Sequence, residues 1–252
     1  TPRYLTMIVP SRWFAGGRGL DDFRDEMLHD ERIRTIVDFP ISSECFPGVE
    51  IKGGVCYFLW DRDSKGDCEI KTMRNNEVST MQRPLLEKGC DTFIRYNDAI
   101  SILRKVQAFK EPTMNTQVSS QKPFGFRTFV KGKEIPFIGA VKLYANKSEG
   151  YVSRGEITQN ESWVDEYKIF ITRAYGAGED FPHQILNKPF LGKPNTCCTE
   201  TYMVIGPYAN KERAENVMSY IKTKFFRFMV LLKKNTQDAP ARVYSFVPIQ
   251  DF

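Results

Sequence analysis

Six cysteines, two histidines and the Glu166-x-Lys168 triplet are the first places to look for chemistry in this 252-residue chain. A zinc site draws four Cys or His ligands in close pairs. Here Cys45, Cys56, Cys68, Cys90, Cys197 and Cys198 include no CxxC pair, and His29 and His183 lie far apart. No metal ligand set is therefore expected, and the cysteines read as buried, reduced thiols of a cytoplasmic protein. Neither histidine has an evident partner for a Ser/His/Asp arrangement, and His29 reads as a cation near a helix end. The glycine stretches "AGGRGLDD" and "YGAGEDF" match neither GxGxxG nor GxxxxGK[ST] and read as turns. "WVDEYKIF" sets Glu166 and Lys168 on one side of a strand. Acids and a lysine on neighbouring strands can hold Mg²⁺ and activate water, but the same alternation describes an ordinary solvent face, and no Pro-Asp stands upstream to complete such a centre. No catalytic residue is assigned.

A different signal comes from "ISSECFPGVEIKGGVCYFLW", residues 41–60. A polar start turns through Phe46-Pro47-Gly48 and runs into the apolar stretch Val55–Trp60. Phe46 beside a Pro-Gly turn is either packed on Trp13 or Trp60, or presented to a partner. The elements around it read in sequence order. "RYLTMIVPSRWF" is a continuous apolar strand, the pattern of a strand covered on both faces, stopped at Pro10-Ser11. "LDDFRDEMLHDE" has Leu20, Phe23, Met27 and Leu28 at helical spacing, with acids in its first turn. "RIRTIVDFP" and "GVCYFLWDRD" are two more strands. Strand–helix–strand predicts a right-handed βαβ unit, and the last two strands can pair as an antiparallel hairpin with a long loop. "CEIKTM" is a further strand candidate. "NDAISILRKVQAF" is a helix capped by Asn97 or Asp98.

Composition turns polar and Pro/Gly-rich across 111–120, the best boundary in the chain. Beyond it, "FRTFV", "GAVKLYA", "YVSRGEI", "YKIFITRAYG" and "ETYMVIGPY" are short β segments divided by turns. "NKERAENVMSYIKTKFFRFMVLLKK" then predicts one long helix, capped by Asn210, with Ala214, Val217, Met218, Ile221, Phe225, Phe228 and Leu232 as its apolar stripe. The fold class expected is α/β plus α+β. No apolar run is long enough for a membrane span.

"RYLTMIVPSRWF…GLDDFRDEML…RIRTIVDFP…CFPGVEIKGGVCYFLW" resembles the downstream half of the catalytic domain in S-adenosylmethionine-dependent adenine-N6 DNA methyltransferases of restriction–modification systems. "IVPSRWF" matches the family's VP[ST]xW strand end, and "CFPGVEIKGGVCYFLW" its Phe-Pro loop and last strand. "TETYMVIGPYANKERAENVMSYIKTKFFRFMVLLKKNTQ" resembles the C-terminal target-recognition region. The resemblance implies three segments: 1–68, an incomplete Rossmann-like methyltransferase sheet (strand–helix–strand–loop–strand); 69–115, a connecting strand and helix; and 116–252, a mostly-β target-recognition domain ending in the long helix. It also implies what is absent. The family's glycine-rich cofactor strand and Asn-Pro-Pro-Tyr segment lie upstream of the matched strands, and this sequence has no NPPY. S-adenosylmethionine is thus expected in a full-length parent, with none bound by these residues alone. The first strand should leave an open edge at residues 3–12 for the missing N-terminal part of the polypeptide or for a second copy of the chain.

A base must leave the duplex before its amino nitrogen can be methylated. The resemblance makes Phe46, with Pro47, the surface on which the extruded adenine stacks. Charge agrees with a nucleic-acid partner. Residues 1–115 hold 17 Lys and Arg against 18 Asp and Glu, and residues 116–252 hold 19 against 13. The basic second half suits double-stranded DNA. Its candidate contacts are Lys122, Arg127, Lys131, Lys133, Lys147, Arg154, Arg173, Lys188 and Lys193, since Lys and Arg supply most phosphate contacts.

Overall fold

The computed structural model describes residues 2–16, 19–176, 184–234 and 236–252. His183 and part of "YGAGEDF" lie outside the described residues. The chain divides into two units, Thr1–Phe109 and Lys110–Phe252. Residues 69–109, expected as a connecting segment, belong to the first unit and complete its sheet.

Unit 1 runs β1 (Tyr4–Pro10), α1 (Asp21–His29), β2 (Ile33–Phe39), β3 (Val55–Asp61), β4 (Cys68–Arg74), β5 (Glu77–Arg83) and α2 (Ala99–Ala108). The five strands form one sheet in the order β1-β3-β2-β4-β5. The β2–β3 pair is antiparallel, as its long-loop connection predicts. The expected βαβ unit is modified, because β3 inserts between β1 and β2 and pairs antiparallel with each. β2 and β4 pair in parallel. One face of this sheet carries a core in which Trp13, Phe14, Leu28, Ile36, Cys56, Phe58, Ile70 and Phe93 pack together. Register puts Tyr4, Ile8, Tyr57 and Leu59 on the opposite face, and all four are exposed.

β1 therefore departs from the doubly covered strand that its continuous apolar run predicts. It pairs with β3 alone among the described residues. Tyr4, Leu5, Met7 and Ile8 are exposed, so both of its faces and one edge are open. Of the open edge anticipated at residues 3–12, the strand Tyr4–Pro10 stands at the end of the sheet, while Ser11 and Arg12 turn into a short 3-10 helix.

Two local readings also change. Asp98 stands at the N-cap of α2 but makes no side-chain cap bond. The Asn97 amide is buried instead. It donates to the Ile70 and Ser79 carbonyls at 3.0 and 3.2 Å, and its oxygen accepts from Arg83 Nε at 3.2 Å. A buried amide with several backbone partners is better satisfied there than at an exposed helix end.

Unit 2 runs β6 (Ala140–Ala145), β7 (Ser148–Ser153), β8 (Tyr167–Thr172), β9 (Phe190–Gly192), β10 (Thr196–Cys198), β11 (Tyr202–Tyr208), α3 (Lys211–Ile221) and α4 (Lys224–Leu231). Its strands form two three-stranded sheets, β10-β6-β7 and β11-β8-β9. Phe124, Phe126, Val141, Leu143, Phe170, Cys197, Cys198 and Val204 fill the core between them. "FRTFV" is not a strand but the start of a loop.

The long C-terminal helix is two helices. α3 begins as read, with Asn210 accepting from the Arg213 amide at 2.8 Å. It ends at Ile221, and Thr223 caps a new helix by accepting from the Phe226 amide at 3.1 Å. The break resets the helical phase. Ala214, Val217 and Ile221 are buried as expected, but the second helix buries Phe226, Met229 and Val230 and leaves Phe225 exposed.

Candidate functional site

Three elements converge on the 41–54 loop of unit 1. β1 ends at Pro10, so Ser11 leaves the sheet edge; β2 ends at Phe39, after Asp38; and β3 starts at Val55. The loop is tied to itself through Ser42. The Ser42 hydroxyl donates to the Val49 carbonyl at 2.9 Å and accepts from the Ile51 amide at 2.8 Å. The Ser42 carbonyl accepts from the amides of Cys45 and Phe46 at 3.0 and 2.8 Å. One buried residue thus closes the Phe46-Pro47-Gly48 turn from both sides.

A buried ion pair ties the loop to the sheet. Asp38 is fully buried. Arg95 grips it through both oxygens, Nε to Oδ2 at 2.5 Å and Nη2 to Oδ1 at 2.8 Å. The Ser11 hydroxyl donates to Oδ1 at 2.9 Å. Arg95 Nη2 also donates to the Gly53 carbonyl at 2.6 Å, and the Ser11 amide donates to the Gly54 carbonyl at 3.0 Å. Burial opposes the Arg95 charge, but Asp38 more than restores it and holds the guanidinium above its ordinary pKa. Arg95 is itself fixed, because its carbonyl accepts from the Thr72 hydroxyl at 2.9 Å and the Phe93 amide donates to the Phe14 carbonyl at 2.8 Å. Gly54 is required where it stands. Its φ is +79°, and a Cβ there would run into the Phe39 carbonyl.

This frame leaves Phe46 37% exposed, with Val49 and Ile41 exposed beside it in sequence. The two rings that could have buried Phe46 are engaged elsewhere. Trp13 packs edge-on against Phe14 and Phe23. Trp60 donates its indole N–H to Asp30 at 2.8 Å and lies under the Arg32 guanidinium. Pro47 and Gly48 are exposed at the tip of the turn.

The nine basic positions of unit 2 fall into distinct settings. Arg154 is claimed by Glu161 and Asp165, and Arg173 by Asp238 through two bonds of 2.7 and 2.9 Å. Lys122 is half-buried in a left-handed turn. Arg127, Lys131, Lys133, Lys147, Lys188 and Lys193 are exposed, Arg127 with Glu200 at 3.8 Å. Of these, Arg127, Lys131 and Lys133 share the loop between Phe126 and β6, and Lys147 tips the β6–β7 turn.

The Glu166-x-Lys168 triplet does not form a metal centre. Lys168 is fully buried, and its ammonium donates to the carbonyls of Trp163, Val164, Glu166 and Lys193 at 2.8–3.3 Å. Burial pulls its pKa down to about 8. All its donors are occupied by backbone, so it ties a turn together rather than activating water. Among the described residues no cluster of three His, Cys, Asp or Glu side chains could hold a metal ion. The six cysteines are free thiols, and no described helix is long and apolar enough to cross a membrane.

Residues 1–46, ending at the exposed phenylalanine, match the profile of the Eco57I restriction-modification methylase family. A stretch of 90 residues is 34% identical to an uncharacterized adenine-specific methylase of Mycoplasma pneumoniae. Over these stretches the chain is similar to a restriction-modification methylase family and to an adenine-specific methylase. That second match covers 33% of this chain and 21% of the Mycoplasma protein, so the chain spans only a minor part of its relative's length. Among solved structures, the type IIG restriction endonuclease BpuSI overlaps 98% of the chain and 40% of its own length, at 11% identity and TM-score 0.38. The type IIL restriction-modification enzyme MmeI, solved in complex with DNA, overlaps 96% and 37%, at 8% identity and TM-score 0.43. Superpositions at this level do not define a shared fold.

Proposed function

We propose that the chain is the base-presenting and DNA-reading part of a restriction–modification adenine methyltransferase. In this reading unit 1 is the downstream half of a Rossmann-like catalytic domain, and unit 2 is the target-recognition domain. The observation that carries it is the Phe46 turn. The family match ends on it, and the buried Ser11–Asp38–Arg95 cluster and Ser42 hold its backbone while the ring stays open. An adenine swung out of the duplex loses its stacking partners, and an aromatic face returns roughly 1–3 kcal/mol. Phe46 supplies that face, and Pro47 stiffens the turn behind it. A turn whose backbone is fixed before the base arrives loses little conformational freedom on binding.

The methyl donor belongs to S-adenosylmethionine, and the residues present do not fit it. Asp38, the buried carboxylate of this region, has its oxygens taken by Arg95 and Ser11, so it is not available to a nucleoside hydroxyl. The sequence also has no NPPY. The donor pocket and the attack on the methyl group are therefore assigned to an upstream part of the polypeptide. That part would pair with the open edge of β1 and cover the exposed Tyr4, Ile8, Tyr57 and Leu59. A second copy of the chain is the other candidate for that edge. In unit 2, the exposed Lys131, Lys133, Lys147, Lys188 and Lys193 take the phosphates of a duplex, joined by Arg127, whose contact with Glu200 at 3.8 Å is long and exposed on the arginine side. Arg154 and Arg173, already paired with acids, serve the fold first.

The test is to express the whole polypeptide that contains this chain in a host free of adenine methylation and to map N6-methyladenine in its DNA. Methylation at a defined sequence, lost in Phe46→Ala while duplex binding persists, is the expected result. Unmethylated DNA together with no duplex binding at low salt overturns the reading.

A further inference from the structure

The loop between Phe126 and β6, residues 127–139, carries the three most exposed large apolar side chains among the described residues. Phe129 is 80% exposed, Ile135 77% and Ile138 103%. Such side chains on a slack loop would need no explanation, but this loop is tied at its start, at Thr128, and at its middle, at Lys133. On one side the Thr128 amide donates to Glu200 Oε1 at 3.1 Å, and the Glu200 amide donates to the Phe126 carbonyl at 3.0 Å. On the other, Lys133 and Tyr151 exchange backbone bonds of 2.8 and 2.9 Å, which adds the loop to the free edge of β7. Two glycines permit this approach. Gly132 has φ +74°, and a Cβ on it would stand 2.8 Å from the Tyr151 backbone. A Cβ on Gly150 would meet the Lys131 carbonyl.

Holding apolar side chains in water forgoes the stabilisation that their burial would give. The loop's own charges indicate what covers them. Arg127, Lys131 and Lys133 share the loop with one acid, Glu134, and among the described residues Arg127 alone of the three is ion-paired, with Glu200 at 3.8 Å. Lys133 lies 4.6 Å over the Phe137 ring, and Lys131 and Lys133 enter no ion pair among the described residues. Cations flanking apolar tips fit a duplex, in which phosphates border base steps that an apolar wedge can part. An acidic protein groove would match the charge as well, but base steps bordered by phosphates match both the cations and the apolar tips set among them.

We propose that the 127–139 loop is a DNA wedge. Phe129, Ile135 and Ile138 press against and between base steps, while Arg127, Lys131 and Lys133 hold the flanking phosphates. This rests on the reading of unit 2 as a duplex-binding domain, and it adds deformation of the duplex to that reading.

The experiment uses the whole polypeptide, a short duplex labelled at both ends for energy transfer, and a series of salt concentrations. Phe129→Ser/Ile135→Ser/Ile138→Ser is expected to bind at least about tenfold more weakly at every salt concentration and to lose the induced bend, with the salt slope unchanged. Lys131→Ala/Lys133→Ala should lower that slope by about 2. If the triple variant binds and bends DNA like the parent, the wedge is wrong and duplex binding stands. If it changes the melting temperature but not DNA affinity, the loop packs on protein and the wedge is equally wrong. If the parent itself fails to bind duplex at low salt, the underlying reading fails before the wedge is reached.

Discussion

The 41–54 loop of unit 1 and the 127–139 loop of unit 2 both hold apolar side chains in solvent, but by different means. The first is tied down by side chains: the Ser42 hydroxyl inside the loop, and Asp38, Arg95 and Ser11 beneath it. The second is tied down largely by backbone, through the exchange between Lys133 and Tyr151 that Gly132 and Gly150 allow. The same contrast recurs at the buried cations. Arg95 has a carboxylate for a partner and its pKa is raised; Lys168 has backbone carbonyls and its pKa is lowered, with burial the leading cause. Side-chain ties can be cut by one substitution that leaves the chain path possible. Backbone ties are indifferent to most side chains but intolerant of a new Cβ.

That contrast can be broken in order of expected effect. Asp38→Ala leaves Arg95 buried without its counter-charge and should cost about 3–5 kcal/mol in urea unfolding. A cost below 1 kcal/mol would show that the cluster does not anchor the loop. Lys168→Met tests the other cation through pH. The folded pKa of Lys168, about 8, lies below its ordinary 10.5, so the unfolded chain binds more protons between those values. Its contribution to stability therefore rises with pH across that window. Urea midpoints of parent and variant should diverge in the parent's favour as pH climbs from 8 towards 10.5, and parallel curves would refute the assignment. Gly132→Ala forces a side chain into a left-handed position against Tyr151 and should cost roughly 1–3 kcal/mol. Ser42→Ala leaves the Ile51 amide and Val49 carbonyl without their partner and should cost about 1–2 kcal/mol. Phe129→Ser touches nothing that holds its loop and should stay within about 0.5 kcal/mol of the parent.

What could be read from sequence followed the range of the signal. The Phe46-Pro47-Gly48 turn, the apolar run of β3 and the Asn210 cap are local, and each stands as read. The position of β3 between β1 and β2 is not local: either neighbour satisfies the hydrogen bonds of a strand, and nothing within nine residues chooses. β5, "EVSTMQR", escaped notice because only its last residue, Arg83, is buried. Thr223 could have announced the helix break, since Thr is a favoured cap, but the apolar spacing ran on through it. Phe129, Ile135 and Ile138 carried no signal at all. A lone apolar residue in a short β-like stretch is ordinarily taken for core, and only the surrounding fold shows it outside. Lys168 misled for the mirror reason, because an ammonium buried among carbonyls looks in sequence like one facing water.

The inserted position of β3 also sets an order in time. β1 leaves the ribosome about fifty residues before β3, its partner, which at 5–20 residues per second is a delay of roughly 3–10 s. β2 and β3 are joined by a single loop and can close on each other as soon as both are out. During that delay the edge of β1 that β3 will occupy stays unpaired, so slower translation between residues 11 and 55 should increase the fraction of chains captured by chaperones rather than the fraction that folds.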